Sequence, residues 1–485
     1  MLQNLTFPGI VLEFRPMKFI NRSRELAQLN QKAESKQAEL MVVYGRRRIG
    51  KTALLSHWLQ SQKGVLQAYW VAHRTTSDRL LASFSQAISP MIHPEASAGL
   101  TFPDWESALE QLFRLARSQR LIMVIDEFPY LIQSCPELPS LLQKIWDREH
   151  QNSQVVLAIC GSHYHMMVDQ FFSSRQPLFG RATGSVLVDE IPAQELKGFL
   201  PKYSPDQIAQ TAAVIGGVPH YLSLWNDSVP PLKNIEDLVL GAATLFRHEA
   251  LFLIQEELPE PRTYLAILEA LGGRHQAPVA ISKATGIDRG HVGKYLNTLV
   301  KLRFIDRLLS ADLKTRKNTR TSRYEIRDPY LRFYFEFIYP HPDWIEQRRI
   351  KPLREAIQSR FDAYVGKQVY EEWARARIRD LGDQEALPFV PDEVGRAWNP
   401  RVEIDVFAVN WKEKIALVGE CKWQREKMNP KHLESLKERA AKLDRVEGFH
   451  FHYALFSKSG FTASLLNKEK YPDLLLFRGA QLEQT

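Results

Sequence analysis

Eight consecutive residues constrain this chain more than any others: Gly45-Arg46-Arg47-Arg48-Ile49-Gly50-Lys51-Thr52, placed directly after the apolar run 40–44 and before the helix-like stretch 52–60. Glycines at this spacing let the backbone curl so that successive N–H groups point inward at phosphate oxygens. The helix that follows adds partial positive charge at its N-terminus. Lys51 can then reach β- and γ-phosphates, and the Thr52 hydroxyl can ligate Mg²⁺. Some 75 residues on, the apolar run 121–125 ends in Asp126 and Glu127. An acid at the first position can hold magnesium through water, and one at the second can orient or deprotonate the attacking water. Together these motifs predict a nucleoside triphosphate with Mg²⁺ as ligand and hydrolysis as the chemistry.

The surrounding pattern fits that chemistry. Short apolar runs at 40–44, 66–71, 121–125 and 155–160 alternate with helical periodicity, the signature of a parallel α/β sheet. The run 155–160 ends in Gly161-Ser162-His163, and Ser162 at that strand tip suits a γ-phosphate sensor. Arg181, in Phe179-Gly180-Arg181, is a candidate to contact the γ-phosphate in its own subunit or from a neighbour.

At 485 residues the chain is long enough for about three domains. The reading is an N-terminal extension (1–17), a P-loop nucleotide domain with a helical lid portion (18–235), a winged-helix domain (236–345) and a C-terminal α/β domain (346–485). An apolar fraction of 44% and a charged fraction of 25% exclude wholesale disorder. No apolar run approaches the roughly 18 residues that span a bilayer. The first 20 residues make a poor signal peptide, being interrupted by Pro8, Glu13 and Arg15. Cys135, Cys160 and Cys421 lie too far apart for a metal or disulfide framework, which favours a reducing, cytoplasmic setting with no membrane partner.

In the middle segment, 280–288 reads as a short helix, a glycine turn and an N-cap at Asp288. Val292, Tyr295, Leu296, Leu299 and Leu302 then recur at helical spacing. Arg289, His291, Lys294 and Lys301 are left on the outer face. The following loop carries Lys314, Arg316, Lys317, Arg320 and Arg323 against Asp312 alone. That is the layout of a winged helix-turn-helix with a basic wing. It makes Arg289, Lys294, Lys314, Arg316, Lys317 and Arg320 the DNA-contact candidates. The aromatic run 330–339 reads as core. In the last third, two alternating strands at 402–409 and 414–420 carry Asp405 and Glu420-Cys421-Lys422. A tight turn between them would bring two carboxylates and a lysine together. Such carboxylates can bind Mg²⁺, and the lysine can position the water that attacks a phosphodiester.

Several of these elements resemble known families. Phe19-Ile20-Asn21-Arg22-Ser23-Arg24-Glu25-Leu26 resembles the entry motif of the archaeal-type ATPase family, in the STAND branch of AAA-like P-loop ATPases. The loop with its arginine run, Asp126-Glu127, Pro177-Leu178-Phe179-Gly180-Arg181 and Gly216-Gly217-Val218-Pro219-His220-Tyr221-Leu222 resemble it in the same order. The resemblance covers the first half of the chain and implies an ATP-dependent switch, with Pro219 in an element that reads nucleotide state. Asn21 departs from it, standing where a small residue such as glycine is expected. The Asp405, Glu420 and Lys422 arrangement resembles the restriction-endonuclease-like nuclease fold, in which a helical glutamate supplements the site; Glu371 is the candidate. The last third also resembles an uncharacterised domain fused to archaeal-type ATPases. The expected function is therefore an ATPase switch coupled to DNA binding or processing, with ATP, DNA and either a second copy or another protein as partners. The alternatives are a signalling or scaffold ATPase with a non-cutting tail, or an ATP-dependent transcription regulator.

Overall fold

The structure is a computed structural model that describes residues 19–92, 101–241, 245–258, 260–314, 321–347 and 349–485. The chain forms two compact units, one running to Phe199 with Gly217–Leu224, the other comprising Leu200–Gly216 and Trp225–Thr485. Among the described residues no helix is long and apolar enough to cross a membrane.

The first unit is built on five parallel strands: β1 (Glu39–Tyr44), β2 (Leu66–Val71), β3 (Leu121–Asp126), β4 (Val155–Gly161) and β5 (Gly184–Leu187), in the order β2-β3-β4-β1-β5. Strands β3 and β4 are buried along their whole length, and β1 at all but its last residue. Helices on both faces of a parallel sheet demand such continuous apolar runs. This is why the three central strands could be read from composition. The edge strand β5 was not anticipated: it has four residues and one fully buried position. It is pinned to β1 at each end, by Thr183 N–H to the Leu40 carbonyl (2.9 Å) and Val188 N–H to the Tyr44 carbonyl (2.8 Å).

Because β4 lies between β1 and β3, three strand tips align at one edge. The glycine-rich loop follows β1, the acids follow β3 and Ser162 follows β4. Ligands bind at this carboxyl edge in open α/β sheets. Gly217 closes the same region from outside. Its carbonyl accepts the Ile191 N–H at 2.8 Å, and a Cβ there would lie 1.8 Å from the Ile191 carbonyl oxygen.

The second unit carries the helices and the hairpin expected over the middle segment. Helices Arg262–Gly272, Pro278–Thr285 and Arg289–Lys301 precede the antiparallel pair β6 (Ile305–Leu308) and β7 (Arg323–Ile326). Asp288 caps the third helix by accepting the Gly290 N–H at 2.8 Å, and Gly286 makes the preceding left-handed turn. Val292, Leu296, Leu299 and Leu302 are buried. Tyr330, Leu331 and Phe333–Ile338 are buried too, as core rather than as an exposed stacking surface.

The C-terminal part is a six-stranded mixed sheet. Its strands are β8 (Glu393–Trp398), β9 (Glu403–Asn410), β10 (Ile415–Lys422), β11 (His450–Ser457), β12 (Leu474–Arg478) and β13 (Glu483–Gln484), in the order β13-β12-β11-β10-β9-β8. β9 and β10 form the expected antiparallel hairpin, with Asn410 opposite Ile415, and β10, β11 and β12 are parallel. The helical run ahead of the sheet is two helices, Ile350–Val365 and Glu371–Asp383, joined by one π turn. β8 was not anticipated, since four of its six residues are half-buried and its register with β9 shifts between Gly395 and Ala397. Its Arg396 carbonyl accepts the Ala311 N–H at 2.7 Å, so the segment after β6 lies against this edge strand.

Replacing Gly217 by alanine should drive Cβ into backbone that cannot yield. We expect a loss of about 1–3 kcal/mol of stability, read as a lowered thermal midpoint.

Candidate nucleotide site and the acidic tail

The loop's shape follows from its residues. Gly45 approaches Val188 so closely that a Cβ would lie 2.2 Å from its carbonyl oxygen, and Gly50, with φ 91°, caps the helix Lys51–Ser61. Arg48 also takes a positive φ, 67°. Lys51 is buried and folds back over the loop, its Nζ donating to the Gly45 and Arg46 carbonyls at 2.8 Å each. Burial lowers its pKa and Arg47 adds to that, while the carboxylates of Glu127 and Asp126 oppose it. The other arginines of the run are also placed. Arg46 Nη2 donates to the Tyr221 hydroxyl (3.2 Å) and Arg46 Nη1 lies 3.5 Å from Glu190 Oε1. Arg47 donates to the Tyr130 hydroxyl (2.5 Å), and the Arg48 carbonyl accepts the His220 N–H (3.4 Å). Ile49 is buried, and its carbonyl accepts from Arg22 Nη2 at 2.9 Å. Pro219 packs at Gly50, 3.7 Å from where a Cβ would stand.

The acids meet the loop as the spacing implied. Thr52 Oγ1 donates to Asp126 Oδ2 at 2.8 Å, the Glu127 N–H donates to Asp126 Oδ1 at 2.8 Å, and Ser162 Oγ donates to Glu127 Oε1 at 2.9 Å. Glu127 adopts φ 55°, a strained turn immediately before the helix Phe128–Ser134, and its Oε2 is buried without a hydrogen-bond partner. A hydroxyl and a carboxylate converging beside Lys51 are the hard oxygen donors a magnesium ion takes, so Thr52 and Asp126 fit that ion. When bound, Mg²⁺ would supply charge neutralisation across the β- and γ-phosphates.

Some residues at this site were invisible in the sequence. Tyr69, on β2, donates to Asp126 Oδ2 at 2.6 Å, and burial together with that carboxylate raises its phenol pKa. Only the sheet order could have suggested it. Asn21 and Arg22 both take left-handed backbone, φ 67° and 74°, which explains the expectation of glycine and which asparagine tolerates. Arg181 is engaged with an acid of its own chain. It makes a two-point ion pair with Asp147 (3.1 and 2.8 Å) and donates to the Phe179 carbonyl.

In the second unit, Arg289, Lys294 and Lys314 are exposed, whereas Arg316, Lys317 and Arg320 lie outside the described residues. Arg323 is engaged, with Nη1 2.7 Å from Glu403 and its guanidinium over the Trp398 ring. In the tail, Asp405 Oδ2 accepts the Cys421 N–H at 3.0 Å, which sets it against the strand bearing Glu420 and Lys422. Burial, then Glu371 and Glu420, raise the Asp405 pKa well above the usual carboxylate range. Glu420 pairs with Lys422 (2.5 Å) and with Arg439, and these cations outweigh burial to hold its pKa down. Glu371 lies 3.5 Å from both Arg375 and Arg396, and Arg396 also pairs with Glu325 of β7 (2.9 Å). Among the described residues no group of three or more histidine, cysteine, aspartate or glutamate side chains is placed to hold a metal ion. Glu371 and Glu420 each already face two cations, while Asp405 lies within the influence of both carboxylates.

A parallel sheet with a phosphate cradle after one strand and paired acids two positions away defines a P-loop ATPase domain. The chain belongs to the family of ATPase domains found predominantly in Archaea, whose sequence profile matches residues 19–224. Residues 334–438 match a second profile, of archaeal and bacterial proteins of unknown function. An uncharacterised protein of Methanocaldococcus jannaschii is 30% identical over 467 residues, covering 95% of this chain and 98% of that one. An uncharacterised ATP-binding protein of the same organism is 44% identical over 45 residues, 9% of this chain and 76% of its own. Among solved structures, a Walker-type ATPase of Pyrococcus abyssi has a TM-score of 0.49 at 19% identity, covering 66% of this chain and 97% of that one. The ORC2 protein of Aeropyrum pernix has a TM-score of 0.46 at 15% identity, covering 70% and 98%.

One pH dependence follows from His163, which adjoins Ser162. Burial first, then Arg47, Arg74 and Lys51, push its pKa from 6.5 down to about 4. The unfolded chain therefore takes up this proton first, and stability should fall as pH drops from about 6.5 towards 4. In His163→Asn that slope, measured by denaturant titration at several pH values, should be shallower than in the wild type.

Proposed function

We propose that this protein binds ATP with Mg²⁺ and hydrolyses it, the nucleotide state governing what its second unit binds. The single observation that carries the reading is the meeting of loop and acids, with Thr52 on Asp126 and Ser162 on Glu127 beside the buried Lys51. Lys51 now satisfies its ammonium on loop carbonyls, and phosphate oxygens would replace them as acceptors. Asp126, gripped at both oxygens, is held ready for the cation, and Thr52 turns its hydroxyl to the same place. Glu127 keeps one carboxylate oxygen unpartnered, as a base awaiting a water proton must. The contact of Pro219 with Gly50 supports a role for it in reporting a change in the loop. Glu127→Gln should lower ATP turnover at least about 100-fold while calorimetry shows ATP affinity retained. Lys51→Ala should lose nucleotide affinity itself. Wild-type turnover in Glu127→Gln would remove Glu127 from the chemistry.

For the second unit, the exposure of Arg289, Lys294 and Lys314 supports nucleic-acid contact through phosphates. The matched charge of the tail supports binding rather than cutting: each of Glu371 and Glu420 already has two cationic neighbours. We expect duplex DNA binding that weakens steeply with salt and further in Arg289→Ala/Lys294→Ala. We expect no nicking of plasmid with Mg²⁺ or Mn²⁺. Nicking that disappears in Asp405→Ala would establish the nuclease reading instead.

A further inference from the structure

The arginine expected to face the terminal phosphate, Arg181, is committed to Asp147. A different pair of arginines stands at the strand tips. Beyond β2, the Ala72 N–H donates to the Asp126 carbonyl at 2.9 Å, so the segment leaving that strand runs past the acids. Two residues further, Arg74 lays its guanidinium over the Tyr130 ring, 5.1 Å from the centroid, and its side chain is exposed. Arg47 of the glycine-rich loop reaches the same residue, donating to the Tyr130 hydroxyl. Tyr130 belongs to the helix that begins directly after Glu127. Its ring meets His163 edge to face at 5.4 Å, and His163 adjoins the Ser162 that holds Glu127. One aromatic side chain thus seats two guanidinium groups, next to the helix that begins after Glu127 and to the histidine that follows Ser162. The depressed pKa of His163, caused by burial and then by Arg47, Arg74 and Lys51, reports the same concentration of positive charge.

We propose that Arg74 is the arginine that binds the terminal phosphate of a nucleoside triphosphate here, with Arg47 beside it and Tyr130 as their common seat. The assignment rests on the ATP reading and adds to it the residue that distinguishes triphosphate from diphosphate. Lys51 and Thr52 are placed for the β- and γ-phosphates with the cation. The remaining γ-oxygens would face Glu127 and Ser162, near the Tyr130 on which Arg74 is seated. A planar guanidinium suits two oxygens of one phosphate, and an anion between two neighbouring guanidinium groups relieves their repulsion. Tyr130 limits the rotamers of both arginines before the anion arrives, which lowers the ordering cost of binding.

Calorimetry on the full chain with Mg²⁺ tests this, using a non-hydrolysable ATP analogue and ADP as separate titrants. Arg74→Ala and Arg74→Gln should each lose at least about tenfold in affinity for the analogue while ADP affinity stays within about twofold. Arg74→Lys should fall between, and Arg181→Ala should match the wild type. A variant damaged only in structure would lose both ligands together, so the ratio of the two affinities is the readout. If Arg74→Ala and Arg74→Gln keep the wild-type ratio, or lose both ligands equally, the assignment is wrong while the ATP reading stands. If the wild type binds neither titrant, the ATP reading fails first.

Discussion

The hydrogen bond between Thr52 and Asp126 is the contact on which the nucleotide domain turns. It joins residues 74 apart in sequence, one in the helix that follows β1 and its loop and the other at the tip of β3, two strands that are not neighbours because β4 is inserted between them. Only a parallel sheet with all carboxyl ends at one edge brings them together. Asp126 is almost wholly buried and accepts from the Thr52 hydroxyl, the Tyr69 hydroxyl and the Glu127 backbone. A buried carboxylate is costly unless so satisfied, and these donors tie β2, β3 and the loop's helix into one arrangement. The same bonds that make the residue tolerable in the fold also aim it.

Much of this was legible in the chain. Continuous apolar runs announce strands buried on both faces, and β1, β3 and β4 are such strands. The glycine spacing before Lys51 announces a backbone curl, and the positive φ of Arg48 and Gly50 shows how sharp it is. What escaped were elements whose stability comes from neighbours: β5 with its four residues, β8 with its irregular register, and Tyr69 reaching across from an adjacent strand. The partner of Arg181 was hidden for a related reason. A sequence shows that an arginine is available but not which carboxylate will claim it, and Asp147 lies 34 residues away.

The acidic tail shows the same limit in sharper form. Asp405, Glu420 and Lys422 do meet across the β9–β10 hairpin, as alternation and a tight turn require. Their electrostatic setting depends on residues that no local pattern marks. Arg439 comes from the helix after β10, Arg375 from a later turn of Glu371's own helix, and Arg396 from the edge strand β8. Arg396 also binds Glu325 of β7, so the β6–β7 hairpin and the tail share one charge network. These arginines set how much of the acids' charge is already balanced within the chain.

The Ala311 N–H bound to the Arg396 carbonyl has a consequence for solubility. β8 is the last strand of its sheet, and an uncovered outer strand offers a row of backbone groups to any other extended chain. By laying its own segment there, the protein occupies part of that template and withdraws it from intermolecular pairing and the aggregates such pairing seeds.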